Sequence, residues 1–156
     1  MPPVNPTPNC YHRVKPYTFA PSNVSWGYQD RSAMVRVKAT RDDRTHIEMR
    51  AGSAAQILLA WEDPERIHRG LQNAAFSATA LSGIRRRGWA QSVGEREQGV
   101  ASVSAPVRSP SGKVIAAVSV SGPLERLSRQ PGRMHAPAVL AAADRLSESL
   151  RRAAAE

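Results

Sequence analysis

Residues 99–123 read GVASVSAPVRSPSGKVIAAVSVSGP, and the fold turns on how this stretch pairs with itself. Two runs rich in Val, Ala, Ile and Ser flank Ser109-Pro110-Ser111-Gly112. Such runs around turn residues predict an antiparallel hairpin with a four-residue loop. Closing the loop between Arg108 and Lys113 sets a register. Val107 then faces Val114, Ala105 faces Ala116, Val103 faces Val118 and Ala101 faces Val120. Side chains alternate along a strand and opposed residues share a face, so these eight form one apolar side. The other side carries Ser104 opposite Ala117, Ser102 opposite Ser119, and Val100 opposite Ser121. The apolar side predicts a packed core. The hydroxyl side has two readings: the floor of a small-molecule pocket, or a polar sheet face that meets water.

Upstream, residues 89–93 read as a strand and residues 94–98 as a loop bearing Glu95, Arg96 and Glu97. Residues 80–87 predict a helix capped by Thr79, with Arg85, Arg86 and Arg87 at its negative end and Gly88 as its stop. Residues 53–61, SAAQILLAW, are rich in helix formers, and Gly52 or Ser53 is placed to cap them. A second short helix follows, with Asp63 as its cap, Pro64 in first position and Ile67 and Leu71 as its apolar stripe. Downstream, Gly122-Pro123 ends the hairpin and residues 124–128 make a helical turn, which Gln130-Pro131-Gly132 breaks. Residues 133–155 predict the last helix. Its expected buried stripe is Val139, Leu140, Ala143, Leu146 and Leu150, with Pro137 near the first turn. No internal repeat is visible.

Residues 1–48 have another texture. Six of the 12 prolines lie in the first 21 residues. Proline removes backbone donors and forbids helix interiors, so an extended or disordered segment is expected. Residues 34–40, MVRVKAT, alternate as a single strand, and no local partner strand is evident.

The 156 residues have room for one domain with a core. Cys10 is the single cysteine, which excludes an intramolecular disulfide and fits a reducing compartment. No run approaches the roughly 18 apolar residues of a membrane span, and the N-terminus lacks the pattern of a signal peptide. A cytoplasmic protein is expected. The net charge of +9 favours acidic partners. The excess is spread along the chain, 15 basic against 9 acidic residues after residue 48 and 7 against 4 before it, so it marks no particular stretch as a DNA contact.

Catalytic motifs are missing. No glycine-rich phosphate loop and no Gly-x-Ser-x-Gly elbow occurs. His12, His46, His68 and His135 are scattered without metal-ligand spacing. Glu95 and Glu97 read as solvated loop charges, and the three arginines as a helix end.

Four motifs, in order, resemble the effector-binding domain of IclR-type transcriptional regulators. They are Ala51-Gly52-Ser53-Ala54-Ala55-Gln56-Ile57-Leu58-Leu59-Ala60, Ile84-Arg85-Arg86-Arg87-Gly88-Trp89-Ala90, Glu95 followed by Gly99-Val100-Ala101-Ser102-Val103-Ser104-Ala105-Pro106-Val107, and Gly112 with Ala117-Val118-Ser119-Val120-Ser121-Gly122-Pro123. The likeness covers residues 49–152. RGWAQSVGERE and SGPLERLSRQPGRMHAPAV look closest to an actinobacterial branch linked to amino-acid biosynthesis, including leucine. The resemblance implies an α/β (α+β), GAF-like domain, an antiparallel sheet with flanking helices, here incomplete on its N-terminal side. It also implies a small effector, a metabolite acid or amino-acid pathway intermediate, held by Ser53, Ala54, Ser92, Ser102, Ser119 and Ser121. The Gly-Lys pair common in the first motif is Ala55-Gln56 here, and acidic or thiol groups that some relatives place near Ser92 and Ser102 are absent, so the resemblance leaves the identity of the ligand open.

The implied function is a ligand-sensing, oligomerising module, a homodimer or homotetramer in the intact protein. It would control DNA binding by a winged helix-turn-helix that residues 1–48 do not match. No enzyme activity, cofactor, metal or membrane is expected. The alternatives are a small hydrolase or transferase using Ser102 or Ser119, and a fragment without function.

Overall fold

In the computed structural model, residues 50–155 are described throughout, and ahead of them the backbone of three strands. The strands are β1 Tyr17–Thr18, β2 Val24–Gln29, β3 Met34–Ala39, β4 Ala90–Val93, β5 Val100–Arg108 and β6 Val114–Pro123. They form one antiparallel sheet in the order β1-β2-β3-β6-β5-β4. Helices α1 Ser53–Ala60, α2 Pro64–Leu71 and α3 Ala78–Arg87 precede β4, while α4 Leu124–Leu127 and α5 Pro131–Ala153 follow β6. This is the expected α+β class.

The hairpin forms with a three-residue loop instead of four. Gly112 N–H donates to the Ser109 carbonyl at 2.8 Å, and Ser109 N–H donates to the Lys113 carbonyl at 2.8 Å. Gly112 has φ 82, the left-handed conformation that closes such a turn and that glycine adopts without a Cβ clash. The register then slips between Val107 and Arg108: Arg108 pairs with Val114 and Val107 with Ala116, which leaves Ile115 as a bulge. Arg108 N–H is taken instead by Ser147 Oγ of α5 at 2.9 Å. Every expected partner is therefore corrected by two positions. Ala105 faces Val118, Val103 faces Val120, Ser104 faces Ser119 and Ser102 faces Ser121. Beyond the bulge a slip of two keeps each side chain on its face, so the division into an apolar and a serine side stands from Val107 and Ala116 onward. Val114, expected on the apolar side, is corrected, because the bulge turns it to the serine side against the α1–α3 core.

The apolar side packs under α5. Val103, Ala105, Val107, Ala116 and Val118 meet Ala136, Val139 and Ala143 there. The buried stripe of α5 differs from the expected one. Gly132, Ala136, Val139, Ala143 and Ser147 are buried, whereas Leu146 and Leu150 are 40% and 38% exposed. Small residues let the helix lie close on the sheet, and Gly132 rests directly on the Trp89 ring. The helix also starts at Pro131, so Gln130-Pro131-Gly132 opens it, and Pro137 lies inside it.

The serine side packs under α1. Ile57, Leu58, Leu59 and Ala60 join Leu81 and Ile84 of α3, Ala90 and Ala117 in a second core, with Ile67 and Leu71 of α2 against it. Asp63 caps α2 by accepting from Arg66 N–H at 2.9 Å, as expected. The cap of α3 is Ser77, accepting from Ala80 N–H at 3.2 Å, two residues before the expected Thr79. At the other end the Arg87 guanidinium stacks 4.5 Å from the Trp89 ring centre, and Nε donates to the Trp89 carbonyl at 2.7 Å. Burial there holds this arginine below its ordinary pKa.

The expectation that residues 34–40 have no partner is corrected. β3 pairs with β2 on one side and with β6 on the other, from Met34 opposite Ser121 to Ala39 opposite Ala116. Non-local pairing of this kind leaves no mark in a local window. The β6 edge is covered by β3. The proline-rich residues 1–16, with Cys10 and His12, and also His46, lie outside the described residues. Among the described residues no helix is long and apolar enough to cross a membrane.

Candidate functional site

A continuous chain of hydroxyls runs through the sheet beneath the start of α1. Ser92 Oγ lies 2.8 Å from Ser102 Oγ, and Ser102 Oγ 2.6 Å from Ser53 Oγ. Ser53 Oγ is in turn 2.6 Å from Ser104 Oγ, which is 2.6 Å from Ser119 Oγ. The register explains two of the four links. Ser92 and Ser104 sit directly opposite Ser102 and Ser119, and Ser102 and Ser104 are neighbours on one face of β5. Ser53 drops from the first turn of α1 between the last two. Ser104 is fully buried, Ser53 is 1% exposed, and Ser92 and Ser119 are 7% exposed. Five hydroxyl protons serve these four links, so among the described residues one O–H of the chain has no acceptor.

Beside this chain the start of α1 is closed by a carboxylate. Gly52, with φ 92, caps the helix, and its N–H donates to Glu95 Oε2 at 2.8 Å. Gln56, itself buried, donates from Nε2 to Glu95 Oε1 and Oε2 at 3.1 and 3.2 Å. A Cβ on Gly52 would come within 2.8 Å of Arg96 Cδ from the same loop as Glu95. The negative group stands where the helix dipole and an unpaired amide favour one.

The structure thus brings four of the six expected ligand residues, Ser53, Ser92, Ser102 and Ser119, into one bonded chain. Ser121 lies opposite Ser102 in the ladder and is half-buried. Ala54 packs instead against the α1–α3 core. Ser104, Gln56 and Glu95 were missed as site residues. Ser104 was on the expected face but opposite alanine; only the corrected register gives it Ser119. Glu95 reads in sequence as a solvated charge because its partners lie in a distant segment. Among the described residues the hydrogen-bond partners of Ser102 are Ser53 and Ser92, and that of Ser119 is Ser104, so none of these partners is a general base. Among the described residues no group of three His, Cys, Asp or Glu could hold a metal ion.

The family model for the bacterial transcriptional regulator IclR C-terminal domain matches residues 31–148. Solved structures share the fold. The C-terminal domain of the E. coli transcriptional regulator KdgR is 22% identical, with a TM-score of 0.58 over 83% of this chain and 88% of that one. The inducer-binding domain of the PobR transcription factor from Acinetobacter, a double mutant in complex with 3-hydroxybenzoic acid, is 20% identical. Its TM-score is 0.55 over 83% of this chain and 87% of that one. A second family model, the glutamine synthetase catalytic domain, matches residues 1–58. The glutamine synthetase of Methanococcus maripaludis is 34% identical over 106 residues, 67% of this chain and 23% of that protein. That of Methanocaldococcus jannaschii is 49% identical over 47 residues, 30% of this chain and 10% of that protein. The chain spans less than a quarter of the length of these curated relatives. The first 48 residues, set apart by composition, fall within the second match, and the two matches overlap at residues 31–58. With most of its length under the first model and the sheet and helices of such domains in place, the chain belongs to the IclR C-terminal family and is an effector-binding domain of a transcriptional regulator.

Proposed function

We propose that the ligand site of this effector-binding domain is the hydroxyl chain, with Ser53, Ala54, Ser92, Ser102, Ser119 and Ser121 around it. The observation that carries this reading is the unspent O–H among buried serines, since a buried donor without an acceptor costs about 1–3 kcal/mol and a ligand acceptor relieves it. The ligand class is a small metabolite acid or an intermediate of amino-acid biosynthesis. The complex of PobR with 3-hydroxybenzoic acid supports an acid of similar size. A ligand that binds one arrangement of the sensor better than another shifts the equilibrium between them. Carrying a regulator from 1:99 to 99:1 takes about 5.5 kcal/mol of such preference. The output is DNA binding by a winged helix-turn-helix of the intact regulator, which assembles as a homodimer or homotetramer in the cytoplasm. The part is a sensor and not an enzyme: the serines touch one another and no base. In this reading β1, β2 and β3 complete the sheet, and the stretch of residues 1–58 brings no glutamine synthetase chemistry.

Ser119→Leu tests the site. Leucine there removes the end of the hydroxyl chain and puts a larger apolar side chain in its place. Calorimetric titration with branched-chain amino acids, their keto-acid precursors and 3-hydroxybenzoate is expected to show binding to the parent. In the variant, affinity is expected to fall at least about tenfold, near 1.4 kcal/mol. The melting transition, followed in parallel, is expected to remain cooperative. Equal affinity in a folded variant would remove the serines from the site.

A further inference from the structure

The start of α1 already holds a negative group that belongs to the protein. Helix α1 carries no acidic residue in its first turn and no side-chain cap of its own. Both roles fall to Glu95, which reaches the Gly52 amide and the Gln56 carboxamide from the loop between β4 and β5. Glu95 is half-buried, whereas Arg96, Glu97 and Gln98 beside it are exposed. Ser53, the next residue after Gly52, is the middle of the hydroxyl chain, so the carboxylate stands one residue from that chain. The two features favour different ligand groups. The helix start favours an anion, and that place is taken. The hydroxyl chain favours any hydrogen-bond acceptor, and it has a proton to give.

We propose that Glu95 is a specificity-determining residue, a resident anion that an acidic ligand must displace from the start of α1 while a neutral acceptor binds the serines and leaves it in place. The inference rests on the ligand-site reading above for its consequence, and on Glu95, Gly52 and Gln56 alone for its cause. Displacement frees the loop of residues 94–99 from the helix. An acid therefore both binds more weakly than its contacts would give and loosens that loop, whereas a neutral analogue does neither.

The experiment uses the full chain and two kinds of probe. Acetate reports on the helix start without needing the serines. In the parent, the Gly52 amide signal is expected to show no saturable shift with sodium acetate beyond that with sodium chloride at the same ionic strength. In Glu95→Ala it is expected to shift saturably. Glu95→Gln keeps the packing and an acceptor for Gly52 N–H but has no charge, and its amide is expected to shift saturably as in Glu95→Ala, at higher acetate. A parent that titrates like the variants, or Glu95→Gln that titrates like the parent, overturns the proposal. The second probe is the pair 3-hydroxybenzoate and 3-hydroxybenzamide. The ratio of their affinities is expected to move about tenfold toward the acid in Glu95→Gln, and an unchanged ratio overturns the proposal. If neither compound binds any form, the ligand-site reading falls while the acetate result still decides the role of Glu95.

Discussion

Gly132→Ala is expected to destabilise the domain by about 2–3 kcal/mol, although alanine is the better helix former. A Cβ at Gly132 collides with the Trp89 ring at Cζ3 and Cη2 and comes within 2.7 Å of Gln91 Oε1, the atom that accepts from Gly132 N–H at 3.0 Å. Trp89 cannot step aside cheaply, because the Arg87 guanidinium stacks on its ring and Arg87 Nε holds its carbonyl. Relief has to come from lifting the first turn of α5 off β4. Gly83→Ala on α3 is the matched control. Its Cβ meets only Arg87 Nη1, at 3.9 Å, an ordinary contact. There the propensity term stands alone and a gain of about 0.5–1 kcal/mol is expected. Thermal melts of both variants check the pair. Opposite signs are expected, and a Gly132→Ala domain as stable as the parent would mean that α5 does not press on Trp89.

Removing residues 1–40 is expected to abolish cooperative folding or drive the chain into aggregates. β3 covers six consecutive register positions of β6. Without it the central strand of the hairpin becomes an edge, and rows of N–H and C=O groups seek other partners. Each lost backbone bond is worth about 0.5–1.5 kcal/mol net, and together they rival the 5–15 kcal/mol that typically stabilises a domain. Light scattering and a denaturant titration of the shortened chain measure the outcome. A monodisperse protein with the parent's midpoint would show that the hairpin and its helices stand without β1–β3.

Local signals in the sequence were read well where one strand or one helix decides them. The apolar and serine sides of β5 and β6 follow from alternation alone, and a slip of two residues cannot exchange them. The slip itself was hidden, because nothing in Ser109-Pro110-Ser111-Gly112 says that Gly112 turns left-handed and that Ile115 bulges. The stripe of α5 was misplaced for a different reason. Leucines draw attention by their size, yet close packing on a flat sheet selects Gly132, Ala136, Ala143 and Ser147, and Leu146 and Leu150 end at the rim. The site divides the same way. Ser102, Ser119 and Ser121 were legible from the hairpin, while the Glu95 contact joins segments 43 residues apart and the β3–β6 ladder joins still more distant ones. Contacts of that span are set by the tertiary fold, and no local window carries them.

The most direct test of the central claim, that the hydroxyl chain beneath α1 is where ligand binds, is a map of backbone amide shifts. Amino acids, keto acids and 3-hydroxybenzoate are titrated in turn into the labelled full chain. The account predicts that the largest saturable shifts fall together on Ser53, Ser92, Ser102, Ser104, Ser119 and Ser121, with those on α2 and the outer turns of α5 unmoved. Saturable shifts confined to α2 or to the exposed face of α5, with the serines silent, would contradict it.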